Sequence, residues 1–251
     1  MFKKMTFLAI SLFFLTGAQA TQENVVNLNT NIKSESAETL VLSETTLKTS
    51  KVKNKVRNSA VSVVTQYGSG SGTYFKLGEF HIIITAYHVV EGEDVVIVLG
   101  RNNEHVLGQP IIKSTKGDIA VLLVPKMTSR EPLDLKFLPK KLRNNIDKLV
   151  GTSVTYTGFP AHHDLLTVDG AIANIENGFI VLHSYAWPGS SGSGVFDSKG
   201  RFIGVVSAVD IGYWHPAIPP AIVEDIVWVS PSWDISKKQL KEFLENRGSM
   251  E

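Results

Sequence analysis

The sequence predicts an all-β fold made of two packed halves. Between residues 60 and 208, short apolar runs rich in β-branched residues recur, and glycine, asparagine and aspartate separate them. Many short strands with turn residues between them are typical of β-sandwiches and barrels. A stretch rich in proline and lysine, from Pro125 to about Asp147, interrupts the pattern and indicates the break between the halves. With 251 residues and 43% hydrophobic content, the chain can bury a substantial core.

Residues 1–20 have the layout of a secretory signal peptide. Two lysines at positions 3 and 4 precede an apolar stretch over residues 5–16, which is too short to span a bilayer comfortably. An Ala-Gln-Ala site follows at 18–20. We therefore expect an exported protein, periplasmic or secreted, that meets a membrane only during export and whose mature chain begins at Thr21. An uncleaved membrane anchor is the alternative.

The next segment, residues 21–56, differs in composition from the rest. It is rich in threonine, serine, asparagine, glutamate and lysine and has only scattered aliphatic residues. Such a composition predicts a flexible or loosely docked leader. A propeptide and a tether are equally compatible with it.

The apolar runs give the individual strands. We expect strands at 61–65, 80–85, 94–98 and 119–124 in the first half, and at 151–157, 171–175, 179–183 and 202–208 in the second. A short amphipathic helix should follow, because a capping box begins at Ser236, Ile235 and Leu240 can form a hydrophobic staple, and an apolar stripe ends at Gly248. This helix is expected to dock on the second half.

The chain contains no cysteine and is almost neutral. Its formal charge is +1, and loss of Lys3 and Lys4 would change it to −1, so nothing electrostatic indicates nucleic acid as a partner. Without cysteine, an exported protein must depend on its packed core rather than on disulfides. Cysteine peptidase chemistry and a lipid anchor on cysteine are also excluded.

The segment Pro-Gly-Ser-Ser-Gly-Ser-Gly at 188–194 is the most informative motif. A serine between small residues can sit on a tight turn with its hydroxyl exposed and nearby amides free, as an acyl-transfer nucleophile requires. Upstream lie His88, in Thr-Ala-Tyr-His-Val-Val, and Asp118, in Gly-Asp-Ile-Ala-Val. The separations are 30 residues from His88 to Asp118 and 73 from Asp118 to Ser191. Together, these residues indicate a serine peptidase.

These motifs, with Gly-Ser-Gly-Ser-Gly-Thr-Tyr-Phe at 68–75, resemble the trypsin-like peptidases of the chymotrypsin fold. Within them, the chain looks most like the HtrA/Deg-type peptidase domain, with too short a remainder for a PDZ module. The resemblance implies two six-stranded β-barrels with the active site in the cleft between them. It places the first barrel at about 57–126, a linker at 127–147, and the second barrel with the C-terminal helix at 148–248.

The resemblance also implies a role for each catalytic residue. Ser191 would attack the peptide carbonyl to form an acyl-enzyme, His88 would transfer the proton, and Asp118 would orient His88. The backbone amides of Gly189 and Ser191 would form the oxyanion hole. The chain is therefore expected to be a serine endopeptidase that hydrolyses proteins or peptides.

A specificity pocket follows from the same resemblance. Tyr185, six residues before Ser191, would lie at its floor, and Val209 would narrow its mouth. Such a pocket has no floor charge and should accept small aliphatic side chains. Ser207 would place a hydroxyl where it can support the Asp118 carboxylate.

Two positions depart from the family pattern. Ser190 stands where aspartate or asparagine is more common, and Ser193 with Gly194 replaces a Gly-Pro pair. Ser190 and Ser193 are alternative nucleophiles, but only Ser191 lies two residues after a glycine and directly before another. Because Ser190 cannot pair with a new N-terminus, activity should not need a cut near residues 51–57.

Two other functions remain open. The chain could be a non-catalytic peptidase-like scaffold that binds peptides or a protein partner, although an intact triad favours an enzyme. A metal site could use His162, His163, Asp164, His183 or His215, but their spacing does not match known ligand patterns. We expect no metal and no other cofactor, and the oligomeric state cannot be deduced.

Overall fold

The structure is a computed structural model that describes residues 51–248, except 115–116, 146–147 and 213–218. The expected signal peptide and the leader up to residue 50 lie outside the described residues. Within the described ranges, no helix has the length and apolar character needed to cross a membrane.

Three α-helices and thirteen strands make up the described part of the chain. The helices are α1 (Lys51–Ser59), α2 (Lys140–Arg143) and α3 (Lys237–Gly248). The strands are β1 (Ala60–Thr65), β2 (Gly68–Leu77), β3 (Phe80–Ala86), β4 (Val96–Leu99), β5 (His105–Ser114), β6 (Ile119–Val124), β7 (Leu133–Asp134), β8 (Ser153–Gly158), β9 (Leu166–Glu176), β10 (Phe179–His183), β11 (Gly194–Asp197), β12 (Phe202–Gly212) and β13 (Ala221–Pro231).

The strands form two closed barrels. In the first, the order is β1-β4-β5-β6-β3-β2, and β1 pairs with β2 to close the barrel. The short strand β7 pairs in parallel with β2 and is not one of the six barrel strands. In the second, the order is β10-β13-β12-β11-β8-β9, closed by the pairing of β9 with β10. Two six-stranded barrels with a short C-terminal helix confirm the predicted fold class.

Successive side chains along a strand lie on opposite faces and therefore belong to different hydrophobic cores. On β3, Ile83 belongs to the core inside the first barrel. Its neighbours Ile82 and Ile84 point to the opposite face, as the two-residue period of a strand requires. They belong to a cluster that also contains Phe196 and Phe202 of the second barrel. The outer face of β3 is therefore part of the packing that joins the two barrels.

Helix α3 packs on this shared cluster. Leu240 and Leu244 are fully buried in it, together with Phe75 of the first barrel and Phe202 of the second. The sequence led us to expect α3 on the second half, and the structure places it against residues of both barrels. Phe243, which also fits the apolar stripe, is exposed.

Helix α1 begins inside the segment 21–56, where the composition predicts a flexible leader. Val52 and Val56, one turn apart on one face of α1, pack on the same shared cluster as α3. The Ser59 hydroxyl ends the helix with a hydrogen bond to the carbonyl of Val56 (2.9 Å). The folded part of the chain thus includes residues 51–56.

Glu104 connects the turn between β4 and β5 to the loop after β6. Its carboxylate accepts hydrogen bonds from the amide and hydroxyl of Thr128 (2.6 and 2.7 Å) and from those of Ser129 (2.9 and 2.5 Å). Burial by itself would raise the pKa of Glu104, but the four hydrogen bonds outweigh it and lower the pKa to about 2. The ionised carboxylate therefore stabilises the folded state.

We expect Glu104→Gln to lower the Tm at pH 7 by about 5 °C, since an amide cannot accept all four hydrogen bonds. The folded pKa is depressed, so this stabilisation is present above the ordinary value of 4.5 and is lost as the pH falls toward about 2. Thermal melts at several pH values should show the two proteins converging in acid. Glu79→Gln, at an exposed position, is the control, and equal melting of both variants at pH 7 would contradict the prediction.

Candidate active site

The pairing of β3 with β6 brings His88 and Asp118 together. Ala86 at the end of β3 pairs with Ile119 at the start of β6. His88 follows on a 3-10 turn, Tyr87–Val89, and Asp118 directly precedes β6. The Nδ1 atom of His88 lies 2.8 Å from Oδ2 of Asp118, and the backbone amide of His88 donates to Oδ1 (2.9 Å). One carboxylate thus holds both the ring and the backbone of His88.

The backbone around Asp118 is unusual. Asp118 has a φ of +46°, in the left-handed region that aspartate tolerates better than most residues. Its carbonyl accepts a hydrogen bond from the amide of Tyr87 (3.1 Å). A Cβ on the preceding Gly117 would collide with the carboxylate of Asp234. The His88 and Asp118 side chains are 35% and 22% exposed, so the pair is open to solvent on one side.

The serine motif forms a compact turn in the second barrel. Gly189 and Gly192 have φ values of +98° and +87°. The amides of Ser190 and Gly192 donate to the carbonyls of Trp187 (2.8 Å) and Val206 (2.7 Å). The turn therefore needs glycine at two positions and is held to strand β12.

Two backbone amides in this turn have no hydrogen-bond acceptor among the described residues. The amides of Ser190, Gly192 and Ser193 all donate to backbone carbonyls. Among the hydrogen bonds of the described residues, none uses the amide of Gly189 or of Ser191 as donor. These two N–H groups flank the Ser190 amide.

Three serines in this turn differ in exposure. Ser190 and Ser193 are buried, whereas Ser191 is half-buried. The Ser190 hydroxyl accepts a hydrogen bond from the amide of Trp187 (3.3 Å). Among the alternative nucleophiles named from the sequence, Ser191 is therefore the accessible one.

Ser71 on β2 fixes the serine turn to the first barrel. Its amide donates to the carbonyl of Ser191 (2.7 Å), and its hydroxyl donates to the carbonyl of Gly189 (2.7 Å). The same hydroxyl accepts a hydrogen bond from the amide of Phe159 (3.0 Å). Ser71 is not among the site residues predicted from the sequence, and its place in a Gly-Ser run is the signal that could have identified it.

The neighbouring Gly70 lies close to both Ser191 and Val89, the residue after His88. A Cβ there would lie 2.9 Å from the carbonyl oxygen of Ser191 and 2.7 Å from Cγ2 of Val89. Ser191 and the residue after His88 thus meet at one point of β2. No hydrogen bond joins Ser191 to His88 among the described residues, and such bonds are often long in substrate-free enzymes.

The expected specificity pocket stays a prediction. Tyr185 is 43% exposed, and its carbonyl accepts a hydrogen bond from the hydroxyl of Tyr156. Burial raises the pKa of Tyr156 to about 12. Val209 is half-buried and pairs with Val227 within the second barrel.

Ser207 also differs from its expected place. Its hydroxyl bonds to the hydroxyl of Ser230 (2.7 Å) on the neighbouring strand, and not to Asp118. The register of β12 against β13 shifts between Val206 and Ala208. Irregularities of this kind can re-aim a side chain, and their positions cannot be deduced from the sequence.

No metal site emerges within the described ranges. No group of three or more histidine, aspartate or glutamate side chains there is arranged to hold an ion. Of the histidines named from the sequence, His183 lies 3.9 Å from an Asp225 carboxylate oxygen on the surface. His215 lies outside the described residues.

Comparisons with known proteins agree with this geometry. A family model described as the trypsin-like peptidase domain matches residues 70–205. A probable periplasmic serine endoprotease, DegP-like, from Halomonas elongata is 29% identical over 151 residues. That match covers 55% of this chain but only 29% of the relative, so it spans less than a third of that protein's length.

Solved structures show the same fold. The serine endoprotease from Yersinia pestis gives a TM-score of 0.57 at 18% identity, covering 77% of this chain and 65% of that one. The Rv3671c protease of M. tuberculosis, in an inactive form, gives a TM-score of 0.55 at 18% identity. It covers 73% of this chain and 88% of the M. tuberculosis chain.

Proposed function

Because this chain belongs to the trypsin-like peptidase domain family, whose model matches residues 70–205, we propose that it is a serine endopeptidase in which Ser191, His88 and Asp118 form the catalytic triad. The observation that carries the proposal is the turn around Ser191. This turn contains an accessible serine and two unpaired amides, and hydrogen bonds from the first barrel hold it in place. The same barrel contains the hydrogen-bonded pair of His88 and Asp118.

Each step of the reaction uses a group at this site. His88 Nε2 takes the proton of the Ser191 hydroxyl as its oxygen attacks the peptide carbonyl carbon. The oxygen of the tetrahedral intermediate accepts hydrogen bonds from the amides of Gly189 and Ser191. The imidazolium, stabilised by Asp118, then gives its proton to the leaving amine. This leaves an acyl ester on Ser191, which water hydrolyses by the same route.

The decisive experiment is covalent labelling by a fluorophosphonate probe. We expect the folded protein to take up one probe at Ser191, located by mass spectrometry, and the Ser191→Ala variant to take up none. A label on Ser190 or Ser193 would reassign the nucleophile. A folded wild-type protein that remains unlabelled would favour the non-catalytic scaffold.

Export to the periplasm is part of the proposal. The signal-peptide pattern at 1–20 supports it, as does the name of the H. elongata relative. The substrates would then be proteins or peptides of that compartment. N-terminal sequencing of the exported protein should give Thr21 as the first residue.

Ser71 provides a test of how the turn is positioned. We expect Ser71→Ala to lower kcat/KM for peptide hydrolysis about tenfold, because the carbonyl of Gly189 and the amide of Phe159 lose their partner. Ser232→Ala is the matched control, since Ser232 is also buried and its hydroxyl bonds to a backbone carbonyl, that of Phe202 (2.9 Å), away from the turn. Both variants should lose about 1–3 kcal/mol of stability, and equal activity in the two would contradict a positioning role.

A further inference from the structure

A cleft of about 650 Å³ is lined in part by Phe159, whose carbonyl lies against Gly189 of the serine turn. It opens between the turn that joins β4 to β5, the end of α1, and the loop after β8. Three arginines line it: Arg57, Arg101 and Arg130. We call this feature the arginine cleft.

The most unusual of the three is Arg130. It is only 5% exposed, yet among the described residues its Nε has no hydrogen-bond partner. A single long hydrogen bond, from Nη1 to the carbonyl of Arg57 (3.4 Å), anchors its guanidinium. Buried arginines are normally paired, because an unsatisfied charged donor is destabilising. Arg130 lines the cleft and therefore keeps donor capacity that no described residue uses, although its Nε atom is itself buried.

The other two arginines are held by neutral oxygen atoms. Nη1 of Arg57 donates to the carbonyl of Leu165 (2.9 Å) and to the hydroxyl of Thr167 (3.2 Å). Nη2 of Arg101 donates to the side-chain oxygen of Asn58 (3.0 Å). These bonds fix the guanidinium groups in place without neutralising their charge.

Carboxylates near the cleft compensate this charge only in part. Glu104 and Asp164 also line the cleft, but the oxygens of Glu104 accept hydrogen bonds from Thr128 and Ser129, and neither carboxylate forms an ion pair with these arginines among the described residues. Burial, followed by repulsion from the other two arginines and opposed by the charge of Glu104, lowers the pKa of Arg130 to about 10. Arg130 is still protonated at neutral pH, so three arginines stand against two carboxylates and the lining keeps a net positive charge.

The arginine cleft is joined to the proposed catalytic site through Phe159. Phe159 lines the cleft, and its amide bonds to the Ser71 hydroxyl, which in turn bonds to the carbonyl of Gly189. A Cβ on Gly189 would lie 2.5 Å from the carbonyl oxygen of Phe159. The arginine cleft and the serine turn thus have Phe159 as a common neighbour.

We propose that the arginine cleft is a substrate subsite for the carboxylate of an aspartate or glutamate close to the scissile bond. This inference rests on the proposed peptidase function. Guanidinium groups bind carboxylates through paired, charge-assisted hydrogen bonds. An acidic side chain would bind Arg101 at the rim and the part of Arg130 that lines the cleft.

The test compares peptides that differ in one residue. A peptide that the enzyme cleaves is synthesised with glutamine, or with glutamate, at each of the positions flanking the scissile bond in turn. We expect glutamate at one or more positions to raise kcat/KM about tenfold in wild type, and the gain to shrink with added salt.

Variants then assign the preference to the cleft. Arg101→Gln, at an exposed position, should remove most of the preference for glutamate, measured as the ratio of kcat/KM for the glutamate peptide to that for the glutamine peptide. Arg130→Met should do the same if it folds. Lys199→Gln, an exposed lysine on the turn between β11 and β12, is the charge-matched control and should retain the preference.

Equal cleavage of every glutamate and glutamine pair would overturn the subsite, as would a preference that survives in Arg101→Gln. Failure to cleave any peptide would instead count against the proposed function. In that event, binding of labelled acidic and neutral peptides to the full Ser191→Ala chain, measured by fluorescence anisotropy, decides the matter. Tighter binding of the acidic peptide that depends on Arg101 supports the subsite, and equal binding refutes it.

Discussion

Ser191→Ala, His88→Ala and Asp118→Ala are each expected to lower kcat/KM for peptide hydrolysis by at least about 10³. The three groups act as one unit, because the hydroxyl needs the imidazole to take its proton and the imidazole needs the carboxylate to orient it. His88 already has that carboxylate 2.8 Å from its ring. A double variant that lacks both Ser191 and His88 should therefore be no less active than the worse of the two single variants.

The control for this series is His183→Ala. His183 also faces a carboxylate, that of Asp225 at 3.9 Å, but both side chains are exposed on the second barrel. Its removal should leave hydrolysis unchanged. Retained turnover in Ser191→Ala, or losses that add up in the double variant, would reject the triad assignment.

Gly192→Ala is expected to lower stability by about 2–5 kcal/mol and hydrolysis by at least about 10²-fold. A Cβ at this position would collide with the carbonyl of Ser71 and the hydroxyl of Thr85, and would lie 2.9 Å from the amide of Ala86. All three belong to the first barrel, which cannot yield without moving β2 or β3. The serine turn would instead shift away from its position against β2 and β3.

Gly178→Ala is the control for this prediction. It measures the cost of placing alanine in the left-handed backbone conformation without a steric clash. Gly178 has nearly the same φ, +85°, but nothing lies within 4 Å of a Cβ there. It should lose only about 1–2 kcal/mol and keep its activity. Urea unfolding and kinetics on both variants test the comparison, and equal stability of the two would show that the close approach at Gly192 does not matter.

The sequence predicts best where local composition and packing agree. The run Ile119–Val124 is continuously apolar and forms β6, and the run Phe179–His183 forms β10. In contrast, β2 was not predicted as a strand, because its Gly-Ser repeat resembles a flexible loop. Its extended conformation comes from pairing with β1 and β3, and its small residues are needed where the serine turn approaches.

Other strands were missed for related reasons. β5 contains Gly108 and Pro110, which weaken a strand signal, and its register against β6 shifts near the proline. β13 has two acidic residues, Glu224 and Asp225, in the middle of an apolar run. In both cases the neighbouring strands of a closed barrel overcome the local preference.

The candidate site was predictable in its chemistry but not in all its contacts. The order and spacing of His88, Asp118 and Ser191 indicate a triad before any coordinates are known. The supporting contacts depend on which strands meet, and this is where prediction failed. Ser71 lies 120 residues from Ser191 in the sequence, and only the docking of one barrel on the other brings its hydroxyl to the turn.

The division of the site between the barrels has a consequence for the cell that makes the protein. On the proposed assignment, the first barrel supplies His88 and Asp118 and the second supplies Ser191, and Ser71 holds the serine turn in register across the boundary. In a nascent chain, or in one that is still being translocated unfolded, the two barrels are not packed together and Ser71 does not hold the serine turn in position. On this proposal, hydrolysis requires the completed tertiary structure, so an unfolded chain would be inactive.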